Sequence, residues 1–198
     1  MTVQTPDLFQ YRDIEYDVVG VSNGELFDEY SLDVELVSPS TSCARGYQAI
    51  FRIADHHLVV NTLLLCVYRE GPANPAEPGP LILGAEASDP SRFSEGWDYQ
   101  YNDLDHRLDY SGGVLIGDGF VPEFIMPLCQ PRAWDFINVS ELIFYRGILV
   151  EQFDRTAEVA EIRRQAGSPR TRTDRSELLW GAQLDRFIRG SFAEEYRV

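Results

Sequence analysis

Apolar and polar residues alternate along much of this 198-residue chain, and short turn signals interrupt the alternation. The clearest example has apolar side chains at every second position: Tyr47, Ala49, Phe51 and Ile53. Because successive side chains of a strand point to opposite faces, this spacing predicts a strand with one buried face. Asp55-His56 suits the tight turn that follows. The returning segment, Leu58 to Val67, is apolar on both faces and is predicted to be a central strand.

The same alternation predicts further strands on both sides of this hairpin. Apolar residues alternate with acidic ones first at Ile14, Tyr16 and Val18, and then at Leu32, Val34 and Leu36. Two short strands are predicted at Gly113 to Ile116 and at Phe124 to Leu128. A second hairpin is predicted from Val139 to Glu151, with its turn at Arg146-Gly147, where the glycine can adopt a positive φ.

Two amphipathic segments near the end of the sequence predict helices. Asp154 is placed to cap the first helix, whose apolar residues form one stripe: Val159, Ile162 and Ala166. Asp174 and Glu177 have the spacing of a capping box at the start of the second helix. One face of that helix carries four large apolar residues: Trp180, Leu184, Phe187 and Ile188. Gly190 and Ser191 are expected to end it.

Together these elements predict an α+β fold. Antiparallel β-hairpins are expected to form a partly wrapped sheet or barrel, and two C-terminal helices to close it. Residues 1–151 would form an acidic β-rich domain, and residues 152–198 a C-terminal helical pair packed on it. A chain of this length suffices for one sizeable core, so we predict one domain overall.

The acidic charge of the chain is concentrated in the predicted β-rich part. The formal net charge is −15. Residues 1–151 contain 24 acidic residues and eight arginines, whereas residues 152–198 contain eight acidic residues and nine arginines. Such a charge repels nucleic acid and membrane surfaces and favours a partner protein with a basic surface, although solubility alone also explains it. All 17 basic residues are arginine, which excludes chemistry that needs a lysine, such as a Schiff base.

The sequence predicts a cytoplasmic protein. Met1 to Phe9 has neither the basic region nor the apolar run of a secretory signal, and no apolar stretch approaches the roughly 20 residues of a membrane-spanning helix. Three cysteines are far apart in the chain and are predicted to be unpaired thiols: Cys43, Cys66 and Cys129. We expect the protein to be a monomer or a weak dimer.

One segment, Ser42-Cys43-Ala44-Arg45-Gly46-Tyr47, resembles a motif of small uncharacterised bacterial proteins, in which Trp-Arg-Gly-Tyr opens a hairpin. Tyr110-Ser111-Gly112-Gly113 and Glu141 to Val150 match the later part of that group's pattern in order, so the resemblance extends over residues 11–151. Ala44 stands where the group has tryptophan. The resemblance implies a β-rich fold and no particular activity.

The densest acidic segment alternates carboxylates with aromatic rings and forms the predicted partner-binding site: Trp97, Asp98, Tyr99, Tyr101, Asp103, Asp105 and Asp109. Aromatic side chains give rigid contact area, and carboxylates pair with the arginines and lysines of a partner. His106, together with these carboxylates, could also bind Mn²⁺, Mg²⁺ or Ca²⁺, but the spacing is not that of an EF-hand. A solvated loop is the remaining interpretation. No cofactor is predicted.

The sequence leaves two functions open. The first is a non-catalytic acidic interaction protein, such as a toxin-neutralising immunity protein or a similar inhibitor, which covers a basic groove of its partner. The second is a small-molecule binder or an enzyme that uses the interior of a β-barrel, with His56, His57 or His106 as its ionisable group. A flat acidic face would favour the first function, and a deep apolar pocket with a buried histidine the second. No catalytic residue is assigned.

Overall fold

The computed structural model describes residues 4–69, 78–88, 96–121, 131–166 and 186–196. Nine strands occur in these residues: β1 (Leu8–Tyr11), β2 (Ile14–Val21), β3 (Tyr47–Ala54), β4 (His57–Leu65), β5 (Tyr99–Tyr101), β6 (His106–Arg107), β7 (Gly112–Phe120), β8 (Phe136–Tyr145) and β9 (Ile148–Asp154). Helix α1 spans Thr156–Ala166, and a second helix, α2, is described over residues 186–191. Two short 3-10 helices are formed by Glu29–Leu32 and Ala133–Asp135. The fold is β-rich and broadly α+β, which confirms the coarser part of the prediction.

Seven of the described strands form a ring in the order β3-β1-β2-β7-β8-β9-β4, which returns to β3. Neighbouring strands are antiparallel except β1 and β3, which are parallel. The ring closes narrowly between β4 and β9, where the only residue pair in the described chain is His57 with Ile148. β6 and β5 pair with β4 farther along that strand.

Tight turns with positive φ set the register of both predicted hairpins. Asp55 and His56 have φ values of 47° and 67°, and Arg146 and Gly147 have values of 50° and 77°. This backbone suits the right-handed twist of the strands that the turn joins. At Gly147 an added Cβ would lie 2.1 Å from the carbonyl oxygen of Leu108, so a larger residue does not fit. The hairpins β3–β4 and β8–β9 confirm what the alternation predicted.

Apolar side chains fill the interior of the ring. Phe9 lies at its centre, with its ring centroid 6.5 Å from those of both Phe51 and Phe144, and all three side chains are buried. Leu58 and Leu142 are fully buried in the same cluster. Burial of one such side chain contributes about 1.5–3 kcal/mol before chain entropy is subtracted. The interior of the ring is therefore the main core of the protein.

A second apolar cluster joins the helices to the outside of the ring. It contains Leu115 from β7, Val159 and Ile162 from α1, Ile188 from α2, and Tyr196 beyond α2. Asp154 ends β9 two residues before α1, and its carboxylate accepts a hydrogen bond of 3.0 Å from the backbone N–H of Thr156, the first residue of the helix. No helix in the described residues has the length and apolar character to cross a membrane.

The strand predicted at Leu32 to Leu36 is wrong. Glu29–Leu32 form a 3-10 helix, and Leu36 forms only an isolated bridge with Val67. Asp28 caps this helix by accepting a 3.0 Å hydrogen bond from the backbone N–H of Tyr30, a local interaction that competes with strand pairing. Several predicted features lie outside the described residues: the strand Phe124 to Leu128, the capping box of Asp174 and Glu177, and the apolar residues Trp180 and Leu184.

Candidate functional site

The predicted partner-binding segment, residues 97–109, lies along one edge of β4. Its β5 and β6 strands pair with β4, and the backbone N–H groups of Leu104 and Leu108 donate to the carbonyls of Asn61 and Leu58, at 3.0 Å each. The segment is therefore held to the sheet by its backbone. Its side chains divide: Tyr101 packs into the core cluster, whereas the exposed side chains of Asp103, Asp105 and Asp109 are accessible to a partner protein.

Arginines of the same chain form ion pairs with three of the predicted carboxylates. Asp98 pairs with Arg69 at 3.1 Å, Asp105 with Arg52 at 2.6 Å, and Asp109 with Arg146 at 3.8 Å. Asp103 is exposed and forms no ion pair with the described chain. The carboxylates of Asp103 and Asp109 are consequently the most available of the set, because Asp109 is 75% exposed and its pair is the longest.

The aromatic residues of the segment divide between the core and the surface. Tyr101 is fully buried and donates a hydrogen bond of 2.7 Å to the carbonyl of Pro80, so it offers no contact surface. Tyr99 is half-buried beneath the guanidinium of Arg69, which lies 4.8 Å from its ring centroid. Trp97 is also half-buried. The structure therefore brings Trp97 and Tyr99 to the surface but not Tyr101.

The three histidines lie outside the interior of the ring. His56 is exposed in the β3–β4 turn, and His106 is exposed on β6. His57 is half-buried at the start of β4, with Nδ1 2.9 Å from the carbonyl oxygen of Asp55. Among the described residues, no group of three or more His, Cys, Asp and Glu side chains has the geometry to hold a metal ion.

A polar cleft of about 310 Å³ opens at one end of the ring, between the β1–β2 turn and the hairpin β8–β9. Its walls are formed by Tyr11, Arg12, Asn138, Ser140, Leu142, Gln152, Phe153, Asp154 and Thr156. The side-chain oxygen of Gln152 accepts hydrogen bonds from the hydroxyl of Tyr11 and, at 3.0 Å, from Arg12. This cleft could not be recognised from the sequence, because its walls come from segments more than 100 residues apart.

A second acidic region, residues 13–35, was not predicted from the sequence. We call it the arginine-free segment. It holds eight carboxylates and no basic residue: Asp13, Glu15, Asp17, Glu25, Asp28, Glu29, Asp33 and Glu35. Most are exposed, and Tyr30, which lies between Asp28 and Asp33 in the sequence, has 89% of its surface accessible. Burial, together with the nearby charges of Glu15 and Asp118, raises the pKa of Asp17. No arginine occurs between Arg12 and Arg45, and eight carboxylates lie in that run; this is the signal that could have revealed the segment.

A buried carboxylate, Glu141, anchors the C-terminal residues rather than a ligand. It accepts hydrogen bonds from Arg155 at 2.7 Å, from the backbone N–H groups of Ala193 and Glu194 at 3.0 and 3.2 Å, and from the hydroxyl of Tyr196 at 2.9 Å. Burial and the Glu141 charge raise the pKa of that tyrosine. We call these residues the Glu141 cluster. Its acceptor oxygens are already occupied by donors of the same chain.

The Arg45-Gly46-Tyr47 motif has a structural role in the described chain. The Arg45 guanidinium forms two hydrogen bonds to the Asp7 carboxylate, at 2.8 and 2.6 Å, and lies 4.5 Å from the ring centroid of Tyr47. The pair joins the residue before β1 to the residues that open β3.

No family model, curated protein or solved structure matches the chain. The resemblance of the motif to a bacterial group therefore stays a prediction.

Proposed function

We propose that this chain is a non-catalytic interaction protein whose acidic surface binds a basic surface of a partner protein. An immunity protein or a similar inhibitor is the specific form of this proposal, since such proteins act by covering a basic groove. The proposal combines the net charge of −15 with the positions of the carboxylates that have no arginine partner in the described part of the chain.

The observation that carries the proposal is the arginine-free segment. None of its eight carboxylates forms an ion pair with an arginine of the described chain, although nine other carboxylates of that chain do so. Like charges that are close together and unpaired repel one another, and a basic partner relieves this repulsion. Complementary charge of this kind speeds association and selects the partner.

Exposed aromatic side chains supply the second component of a protein-binding surface. Tyr30 lies between Asp28 and Asp33, and such an exposed ring can bury a large area against a partner at a small entropic cost. Trp97 and Tyr99, both half-buried, provide a smaller aromatic area within the segment 97–109. The two acidic regions are both accessible, so each is a candidate contact surface.

The filled interior of the ring favours this function over the alternative of a small-molecule binder or enzyme. That alternative places a histidine inside the ring, whereas Phe9, Phe51 and Phe144 occupy the interior. The three histidines lie on the outside.

The experiment begins with capture of the partner on the immobilised full chain from an extract of the source organism, followed by its identification and purification. Affinity is then compared between the wild type and the variant Asp28→Asn with Asp33→Asn. The matched control, Glu161→Gln with Glu195→Gln, removes the same charge from carboxylates that already pair with arginines.

We expect the first variant to bind the partner several-fold more weakly and the control to bind like the wild type. A third variant, Asp103→Asn with Asp109→Asn, tests the originally predicted segment in the same assay. A partner that binds all three variants with the affinity of the wild type would contradict the proposal, because neither acidic region would then contribute.

A further inference from the structure

The second half of β9 has one edge that no described strand covers, and we call it the free edge. β9 pairs with β8 along its length, but in the described chain it pairs with β4 only through Ile148. From Val150 to Asp154 no other described strand pairs with its second edge. We propose that this edge binds an extended segment of a basic partner protein as an additional strand. The inference rests on the proposed function, and it specifies how the partner would bind.

The register of β9 shows which backbone groups point away from β8. The N–H of Leu149, opposite Phe144, donates to the carbonyl of His56 in the β3–β4 turn rather than to β8. In an antiparallel pair the bonding direction alternates along each strand. The register of β9 shifts by one residue at Val150, between Leu149 and Glu151. After this shift the residues opposite Leu142 and Ser140 are Gln152 and Asp154, and these direct their N–H and C=O groups to the free edge. Four such groups are a template for strand addition.

The polar cleft lies beside this edge. Gln152 and Asp154 form part of its wall, together with Asn138 and Ser140. A volume of about 310 Å³ is at the lower end of the range for small-ligand pockets, and it accommodates one long side chain. Arg12 also lines the cleft, where it donates to Gln152. The exposed carboxylate of Asp154 and the oxygens of Ser140 and Asn138 remain as acceptors for an arginine or lysine of the added strand.

Charge selects a basic partner over a second copy of this chain. Two copies would each carry a net charge of −15, and pairing of β9 with itself would bring the exposed Glu151 and Asp154 of both chains close together. A basic segment instead places opposite charges beside these carboxylates. Apolar residues of the same segment can cover Val150 and Ile148, which are 53% and 42% exposed.

The test compares Gln152→Pro with Gln152→Ala. Both variants lose the side-chain contacts of Gln152, but only proline removes the N–H that points to the free edge, and edge strands tolerate proline at such a position. The probe is a nine-residue peptide of alternating arginine and valine. A second peptide has the same sequence with N-methyl groups on alternate backbone nitrogens, which keeps the charge but prevents strand pairing.

We expect the unmodified peptide to bind the wild type and Gln152→Ala equally. It should bind Gln152→Pro about tenfold more weakly, because the loss of one or two hydrogen bonds costs about this much affinity. N-methylation should weaken binding to the wild type similarly, which keeps the test valid if the proline variant fails to fold. Equal binding of both peptides to the wild type would overturn strand addition but leave the acidic surface in place. Failure of both peptides to bind would contradict the inference and the proposed function together. If the wild type forms dimers and Gln152→Pro does not, the free edge binds a second copy of the chain. That result would overturn the proposal that the edge binds a basic partner protein.

Discussion

Replacement of Glu141 by alanine should destabilise the protein more than replacement of any exposed acidic residue. The Glu141 carboxylate is fully buried, and it accepts hydrogen bonds from Arg155, two backbone N–H groups and the hydroxyl of Tyr196. These donors belong to the C-terminal residues and to the start of α1. Glu141 thus connects the outer face of β8 to the C-terminal residues and to the start of α1.

The size of the effect follows from what remains after the substitution. Glu141→Ala leaves the largely buried Arg155, whose side chain is 15% exposed, without its main partner. Breaking a buried ion pair in this way costs about 3–5 kcal/mol. Glu158, at 3.2 Å from Arg155, offsets part of this loss, so we expect about 3 kcal/mol. Glu141→Gln should cost less, because its amide oxygen still accepts hydrogen bonds.

Urea unfolding followed by circular dichroism measures the change in the free energy of unfolding. Hydrogen exchange at Ala193 and Glu194 should be faster in Glu141→Ala, since their N–H groups lose the acceptor. Glu161→Gln is the control, because it breaks an exposed ion pair with Arg164 and should leave the unfolding midpoint unchanged. If Glu141→Ala unfolds at the same urea concentration as the wild type, the Glu141 cluster does not stabilise the fold.

Three further predictions concern other parts of the chain. Asp17 has a raised pKa in the folded protein, so the stability that its protonated form contributes is lost as the pH rises through that pKa. Asp17→Asn should therefore raise the melting temperature at pH 7. The difference in melting temperature between the variant and the wild type should vanish below the ordinary pKa of 3.8. Cys43 and Cys66 are buried free thiols, and mass spectrometry after alkylation should find both unmodified until the protein is unfolded. Deletion of residues 170–198 should give an aggregating or unfolded protein, because it removes the buried Ile188 from the outer cluster; an unchanged melting temperature of a soluble truncated protein would refute this.

The hairpins could be predicted because their information is local. In β3 every second residue is apolar, and Asp55-His56 marks the turn directly after it. The same alternation misled at Leu32 to Leu36, where Asp28 caps a 3-10 helix. Alternation is evidence for a strand only when a neighbouring strand is available to pair with it.

The environment of the charged residues could not be predicted in the same way. Alternation places Glu141 on the outer face of β8, which suggests a solvated carboxylate, but Tyr196 and Arg155 cover it. The segment 97–109 was identified by its density of carboxylates, yet the arginines that neutralise Asp98 and Asp105 come from distant positions. Such pairing depends on which strands are neighbours: β5 and β6 lie beside β4, which brings the segment close to Arg52 on β3 and to Arg69 after β4.

The salt dependence of partner binding tests the central claim most directly. The measurement is the Kd of the purified complex by isothermal titration calorimetry over a series of sodium chloride concentrations at constant pH. If the acidic surface binds a basic one, affinity should fall steadily as salt screens the opposite charges. A Kd that does not change with salt, or a partner whose contact surface is acidic, would contradict the account.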